Sequence, residues 1–417
     1  MSYVIIGNST AAVGCIEGIR QIDKNRPITV ISKENYNTVY SRPLISYLLQ
    51  GKTDEERMKY RPNGFYEEMN CRLLADKTAE KIMVKEKQVI LNDGSFIDYD
   101  KLLVATGSRP FIPDFNGLEK VKKWFTFMSL DDAKAIQKAV TPDAKVLIMG
   151  AGLIGLKCAE GIAKKVGHIT VVDLADRVLP SILDEEASRI VQHHIEKEHI
   201  EFILSDAIES LDANSALLKS GKEVEFDFLI VAVGVRPNTQ LMEEAGGKVN
   251  RGIVINEYCQ STLSDIYSAG DCTESFDVSA EEPRILAILP NAYMQGECAG
   301  INMAGGEKSH VKAIPMNAIG FFGLHIITAG SYAGTEYVRL GTESENENRH
   351  EIYKKLITKD GLLKGYILVG DVARAGIYTS LIKEKKPLDS IDFELIKDKP
   401  QLMAFSRVDR EKMLGGR

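Results

Sequence analysis

Three glycines spaced as Gly150-x-Gly152-x-x-Gly155, with the acidic Asp173 about 20 residues further on, form a pattern suited to gripping a dinucleotide. The first glycine permits a tight turn, and the second lets the backbone approach a pyrophosphate. The third lets helix and strand pack closely, with phosphate at the helix N-terminus and Leu153 and Ile154 in its first turn. Asp173 ends the apolar run Thr-Val-Val. Its carboxylate can accept from an adenosine ribose 2′-hydroxyl and repels a 2′-phosphate, so this loop should prefer NADH over NADPH. Arg177, four residues on, tempers that preference without reversing it. Near the start of the chain, Gly7-Asn-Ser-Thr-Ala-Ala12 follows the apolar Tyr-Val-Ile-Ile in the same context. It keeps the first glycine and is otherwise built of small residues. Ser9 costs some close approach but adds a hydroxyl that can donate to phosphate, so GNSTAA reads as a tolerant version of the same loop.

The elements that must position these loops are themselves repeated. VIIGNSTAAVGCIEGI (4–19) lies on LIMGAGLIGLKCAEGI (147–162), with Gly7 on Gly150, Ser9 on Gly152 and Ala12 on Gly155. VILNDGSFIDYDKLLVATG (89–107) lies on ALLKSGKEVEFDFLIVAVG (216–234), a hairpin with a turn glycine (Gly94, Gly221) and then a buried strand ending in Gly107 or Gly234. Between its two glycine turns the first copy runs 16 residues longer, and the segment YSRPLISYLLQGKTDEERMKYRPNGF has no counterpart in the second. Val/Ile-rich strands alternate with helix-length runs, which predicts two doubly wound parallel α/β units. The second copy has Asp173 at the end of its second strand. The first has Ser32 there, with Glu34 the nearest acid and a candidate ribose ligand.

Composition agrees with an α/β protein of several domains. The chain has 417 residues, 44% of them hydrophobic, enough for large cores. Six cysteines are scattered without a CxxC or a Cys/His cluster, which argues against a disulfide scaffold and a structural metal. A net charge of −7 gives no reason to expect nucleic acid or anionic lipid as a partner. No leader-like segment precedes the first strand and no apolar run is long enough to span a bilayer, so a cytoplasmic location without membrane contact is expected.

Together with ATGSRP (105–110), VGVRPN (233–238) and YSAGDC (267–272), the two loops resemble the pyridine nucleotide-disulfide oxidoreductase superfamily. Tyr40-Ser-Arg42-Pro43-Leu, LPNAYMQG (289–296) and LVGDVARAGIYTSLI (368–382) look most like its NADH:rubredoxin oxidoreductases and the flavin-binding part of NADH-dependent nitrite reductases. The resemblance implies two Rossmann-like domains and a small α+β C-terminal domain. FAD would sit on a discontinuous domain, 1–112 and 252–312, NADH on 113–251, and residues 313–417 would form an interface domain. The FAD contacts implied are Gly7, Ser9, Thr10, Ala11 and Ala12 at the loop, with Glu34, Arg42 and Pro43 after it. Ala105, Thr106, Gly107 and Arg109 would follow at the glycine turn, then Gly270 and Asp271, then Asn291 and Ala292. For NADH they are Gly150, Gly152, Leu153, Ile154, Gly155, Asp173, Val233 and Gly234. The carboxylate of Asp271 would accept from the ribityl hydroxyls. A helix starting near Asn291 would point its positive end at the flavin's pyrimidine edge.

Departures from the family pattern narrow the chemistry. Disulfide-reducing relatives carry a Cys pair in the first helix, and oxygen- or peroxide-reducing ones a Cys soon after the second strand; here that neighbourhood holds Arg42-Pro43. Cys272, beside Asp271, is most simply a buried structural thiol. Lys157 replaces a Glu of many relatives and Tyr47 a Lys of the ferredoxin-reductase-like ones, which predicts a cation without its partner near the flavin and a tentative catalytic role for Lys157. Phe321 and Phe322 are either core residues or flavin neighbours. Lys383, Lys385 and Lys386 are a solvated helix end or a dock for an acidic carrier. The expected activity is hydride transfer from NADH to FAD, then single electrons to a rubredoxin, ferredoxin or other iron–sulfur protein, or the reverse. An NADH oxidase or peroxidase is the alternative enzyme, a flavin-dependent conformational switch is an alternative of another class, and a homodimer stays open.

Overall fold

The computed structural model describes residues 2–345 and 348–413. Its first half is the predicted duplication. In the first unit the parallel strands run in the order Ile266–Ser268, Lys101–Val104, Tyr3–Ile6, Ile28–Ile31, Cys71–Leu74. In the second the order is Trp124–Phe125, Phe228–Val231, Lys145–Met149, His168–Val172, Ile200–Ile203, again parallel. The inner strands YVII and FLIV are buried at every residue, as expected of a sheet covered on both faces. Each unit also carries a three-stranded antiparallel flap turned by Gly94 or Gly221, both at left-handed φ. The units differ in the source of the fifth strand. The second borrows it from residues preceding its own first strand, and the first takes it from a segment that follows the whole second unit.

Glycines let two helices of the first unit touch backbone to backbone. Thr10–Ile22 leaves the first loop, and Leu289–Met303 packs along it. A Cβ on Gly14 would lie 2.3 Å from the Tyr293 carbonyl oxygen, and one on Gly18 2.4 Å from that of Glu297. In the other direction, Gly296 faces the Ala11 oxygen at 2.0 Å and Gly300 that of Cys15 at 2.2 Å. This interlock sets both helix N-termini, one at the loop and one at Leu289.

The C-terminal part is a five-stranded antiparallel sheet in the order Met316–Phe321, Leu324–Gly330, Leu362–Val369, Asn348–Lys359, Thr335–Glu345, backed by Ala375–Lys383 and Phe393–Asp398. It shares one apolar core with the second unit: Phe321, Ile326, Tyr353 and Ile367 pack in the cluster that holds Leu156, Ile190 and Phe228. Polar clamps reinforce the joint. Asp184 caps the helix Glu185–Glu196 through Ala187 N at 3.0 Å and accepts from Tyr353 and Lys355 of the sheet. Phe321 is fully buried, which makes it a core residue. In the lysine cluster, Lys385 pairs with Glu281, which Lys364 shares, and Lys386 pairs with Asp409. Among the described residues no helix is long and apolar enough to cross a membrane.

Candidate functional site

The two loops have the same construction. Gly7 and Gly150 adopt φ of +109° and +110°, and a Cβ on either would strike the carbonyl oxygen at the end of the neighbouring strand, Ala105 at 2.1 Å or Ala232 at 2.3 Å. Each loop then enters a helix through an extended residue, Ser9 or Gly152, that makes no side-chain cap. The first N–H groups of both helices are thereby left for a ligand. Gly152 has open space where a side chain would be, and a Cβ on Gly155 would lie 2.0 Å from Gly150 O, which locks helix to turn. The first loop has Ala12 at that third position, fully buried.

Gly270-Asp271 and the start of the helix Leu289–Met303 converge on the first loop. Gly270 takes φ +85°, and a Cβ there would touch those of Ala11 at 3.4 Å and Ala292 at 3.7 Å. The fully buried Gln295 accepts from Gly270 N at 2.8 Å and from Thr273 Oγ1 at 3.3 Å, fixing the turn that presents Asp271. Burial pushes the Asp271 carboxyl up, opposed by Ser108, which donates to it at 3.2 Å, and by the nearby Arg42 cation. Arg42 itself bridges to Glu34 at 2.9 Å, donates to Tyr40 OH at 3.1 Å and precedes Pro43 in a single short turn. Glu34 accepts at Oε1 from both Arg42 and Tyr40, so acid and base are held as one polar group beside the loop. The extra segment that has no counterpart in the second copy supplies Arg42, and Tyr66, the residue that follows it, donates from its hydroxyl to Asn8 Oδ1 at 2.6 Å.

The two units meet at their second glycine turns. Ser108–Pro110 and Val235–Pro237 form an antiparallel ribbon between Gly107 and Gly234, both at positive φ with open space beside them. Thr106 Oγ1 donates to Asn238 O at 2.6 Å, and Val233 is exposed. Arg109 lies in this ribbon with its guanidinium on Pro237 O at 3.2 Å and Asn238 Oδ1 at 3.0 Å, a joint between the units. Asn291 lies in the first turn of the helix Leu289–Met303. Its side chain donates to Leu286 O at 3.1 Å and accepts from His310 Nε2 at 2.8 Å, which leaves its backbone N–H for a ligand.

Lys157 is not the unpartnered cation expected. It pairs with Glu160, one helical turn on, at 2.7 Å and donates to Gly320 O of the C-terminal sheet. Glu160 in turn accepts from Phe322 N at 2.8 Å. The i,i+3 carboxylate supplies a partner, and Lys157 joins helix to sheet. The six cysteines are free, and burial pushes the Cys71 thiol up to about 12 and the Cys272 thiol up as well. Sequence gave no hint that Cys259 and Cys298 share one buried core, since 38 residues separate them along the chain.

His310 gives a pH signature. Burial, aided by Lys383 and Lys308, lowers its pKa from 6.5 to about 4. Between those values the unfolded chain binds the proton that the folded one refuses, so stability is full above about pH 6.5 and falls as pH drops toward 4. The loss should approach roughly 3 kcal/mol. Urea unfolding from pH 7.5 to 4 should show this slope in the wild type and a flatter one in His310→Gln.

The comparisons with known proteins match this geometry. Residues 1–296 match the family model described as pyridine nucleotide-disulphide oxidoreductase, and residues 315–386 the one described as rubredoxin NAD+ reductase C-terminal domain. The chain is 30% identical over 388 residues to a nitrite reductase [NAD(P)H] of Bacillus subtilis, covering 92% of this chain and 47% of the relative, and so spans about half that protein's length. It is 34% identical over 319 residues to an NADH oxidase of Methanocaldococcus jannaschii, covering 74% of this chain and 71% of the other. Its fold superposes on the reductase of a covalent putidaredoxin reductase–putidaredoxin complex with a TM-score of 0.86 at 22% identity, over 100% of this chain and 98% of that one. Paired loops, crossed ribbon and sheet-bearing C-terminus, matched by a model spanning most of its length, make this chain a member of the pyridine nucleotide-disulphide oxidoreductase family.

Proposed function

We propose that the protein carries electrons from NADH through FAD to a small one-electron carrier of the rubredoxin or ferredoxin type, in the cytoplasm. FAD belongs to residues 1–112 and 252–312, NADH to 113–251, and the interface to the carrier involves 313–417. The observation that carries this reading is the pairing of two uncapped, glycine-turned loops across one ribbon, with thiols that are buried or pushed up in pKa. The match to a rubredoxin reductase C-terminal domain supports the choice of acceptor.

The residues fit both groups. The first loop, with its free helix N-terminus, suits a pyrophosphate, Asp271 faces it from Gly270, and the Arg42–Glu34 pair offers a cation and a second carboxylate oxygen. When bound, the flavin supplies the chemistry that turns a two-electron hydride donor into a source of single electrons. The chain's own work is to bind, orient and polarise. The helix beginning at Leu289 presents backbone N–H groups, and the ribbon fixes the angle between the two loops. Direct reduction of oxygen is the second reading, favoured by the likeness to an NADH oxidase.

Anaerobic stopped-flow separates the two. NADH should bleach the flavin within the mixing of reactants, and the reduced protein should then be reoxidised at least tenfold faster by rubredoxin or ferredoxin than by air-saturated buffer. Faster reoxidation by oxygen would make it an oxidase, and no bleaching by NADH would remove the forward reaction.

A further inference from the structure

Asp173 is expected to read the adenosine ribose, yet both its carboxylate oxygens already hold backbone. Oδ2 accepts from Ala151 N at 2.6 Å, inside the second loop between Gly150 and Gly152, and Oδ1 accepts from Ala175 N at 2.8 Å. Ala151 is pinned from its other side as well, its carbonyl accepting from Leu179 N at 2.9 Å. A carboxylate that accepts two N–H groups is a strong anchor, and here it joins the end of the second strand to the loop that must hold its shape against a pyrophosphate.

The duplicated unit serves as an internal comparison. The position of Ala151 is occupied in the first loop by Asn8, and Ser32 stands where Asp173 would be. Ser32 turns away from the loop, its hydroxyl donating to Glu34 O at 3.1 Å. The loop is instead held at Asn8 by Tyr66, just after the extra segment, which donates to its side-chain Oδ1 at 2.6 Å. Where the carboxylate is missing, another side chain grips the same residue of the repeat, so the grip is wanted whatever reads the ribose.

We infer that Asp173 is a positioning residue for the NADH phosphate loop, with Tyr66 its counterpart at the first loop, and that its main effect on affinity passes through Ala151. The inference rests on the assignment of NADH to this unit. In Asp173→Asn the amide can still accept from Ala175 N but cannot also accept from Ala151 N, at unchanged volume.

The test is equilibrium binding of NADH and of its analogue with 2′-deoxyadenosine, measured on the flavin-loaded protein by calorimetry, with unfolding temperature and flavin content confirming an intact fold. Asp173→Asn should weaken both ligands by the same factor, tenfold or more. If the substitution weakens NADH alone and leaves the 2′-deoxy analogue unchanged, Asp173 acts on the ribose hydroxyl and the inference fails while the NADH assignment stands. If the wild type binds neither ligand, the assignment itself fails and takes the inference with it. Tyr66→Phe supplies the second arm: FAD should dissociate at least threefold more readily with NADH affinity per loaded site unchanged, and unaltered FAD release would overturn the counterpart.

Discussion

Gly152→Val should fold like the wild type, keep its FAD and lose at least 100-fold in kcat/KM for NADH. The backbone at this position is extended, φ −80° and ψ −178°, a region that suits a β-branched residue, and no atom lies within 4 Å of where its Cβ would stand. The Cβ meets open space, so the unfolding temperature should move by no more than about 2 °C. The open space is where a pyrophosphate must approach the first N–H groups of the helix Leu153–Ile162, and an isopropyl group there keeps it away. A 100-fold loss corresponds to about 2.7 kcal/mol, within reach of two or three charge-assisted hydrogen bonds. Ser9 sits at the same position of the first loop with φ −137°, so Gly152→Ser should cost far less than valine. Gly150→Ala should behave in the opposite way: at φ +110° and 2.3 Å from Ala232 O it breaks the turn itself, and stability falls along with activity. Steady-state kinetics with NADH, flavin content and thermal unfolding on the three variants distinguish a ligand clash from a fold clash.

What could be read from the sequence was whatever repeats locally. The loops, the turn glycines Gly94 and Gly221, the strands ending in Gly107 and Gly234, and Gly270-Asp271 each carry their meaning within a few residues, because φ > 0 or close backbone approach dictates the residue type. The fold class follows from those same strands and helices. The partners of side chains were less legible. Arg109 sits in a motif shared with flavin-binding relatives, but its partner Asn238 is 129 residues away and belongs to the other unit. Asn291 begins a helix, and only the folded chain brings His310 to its amide. Lys157 appeared unpaired since the comparison was with Tyr47, while Glu160, three residues on, was in plain view and obeys the ordinary helical spacing. Gln295 lies inside LPNAYMQG, and its buried bond to Gly270 appears only in the folded chain.

Gly296→Ala should cost about 3 kcal/mol or more of stability and most of the bound FAD. The added carbon would stand 2.0 Å from the carbonyl oxygen of Ala11, a backbone atom in the first turn after the phosphate loop, where ordinary contact needs more than about 3 Å. No rotamer change relieves a Cβ, so the two helices must separate by about 1 Å along a contact that Gly14, Gly18 and Gly300 hold equally tight. That movement shifts the N-terminus at Thr10 relative to the one at Leu289, and it pulls Gln295, the next residue, from Gly270. Loss of FAD and loss of stability should therefore arrive together, and added FAD should recover part of the unfolding temperature by mass action. Gly300→Ala, one helical turn further from the loop at 2.2 Å from Cys15 O, should destabilise by a similar amount with a smaller loss of flavin. Thermal unfolding with and without excess FAD, together with the absorbance ratio of flavin to protein after gel filtration, measures both. If Gly296→Ala retained full flavin and stability, the backbone contact would not be what places the two helix ends around the cofactor.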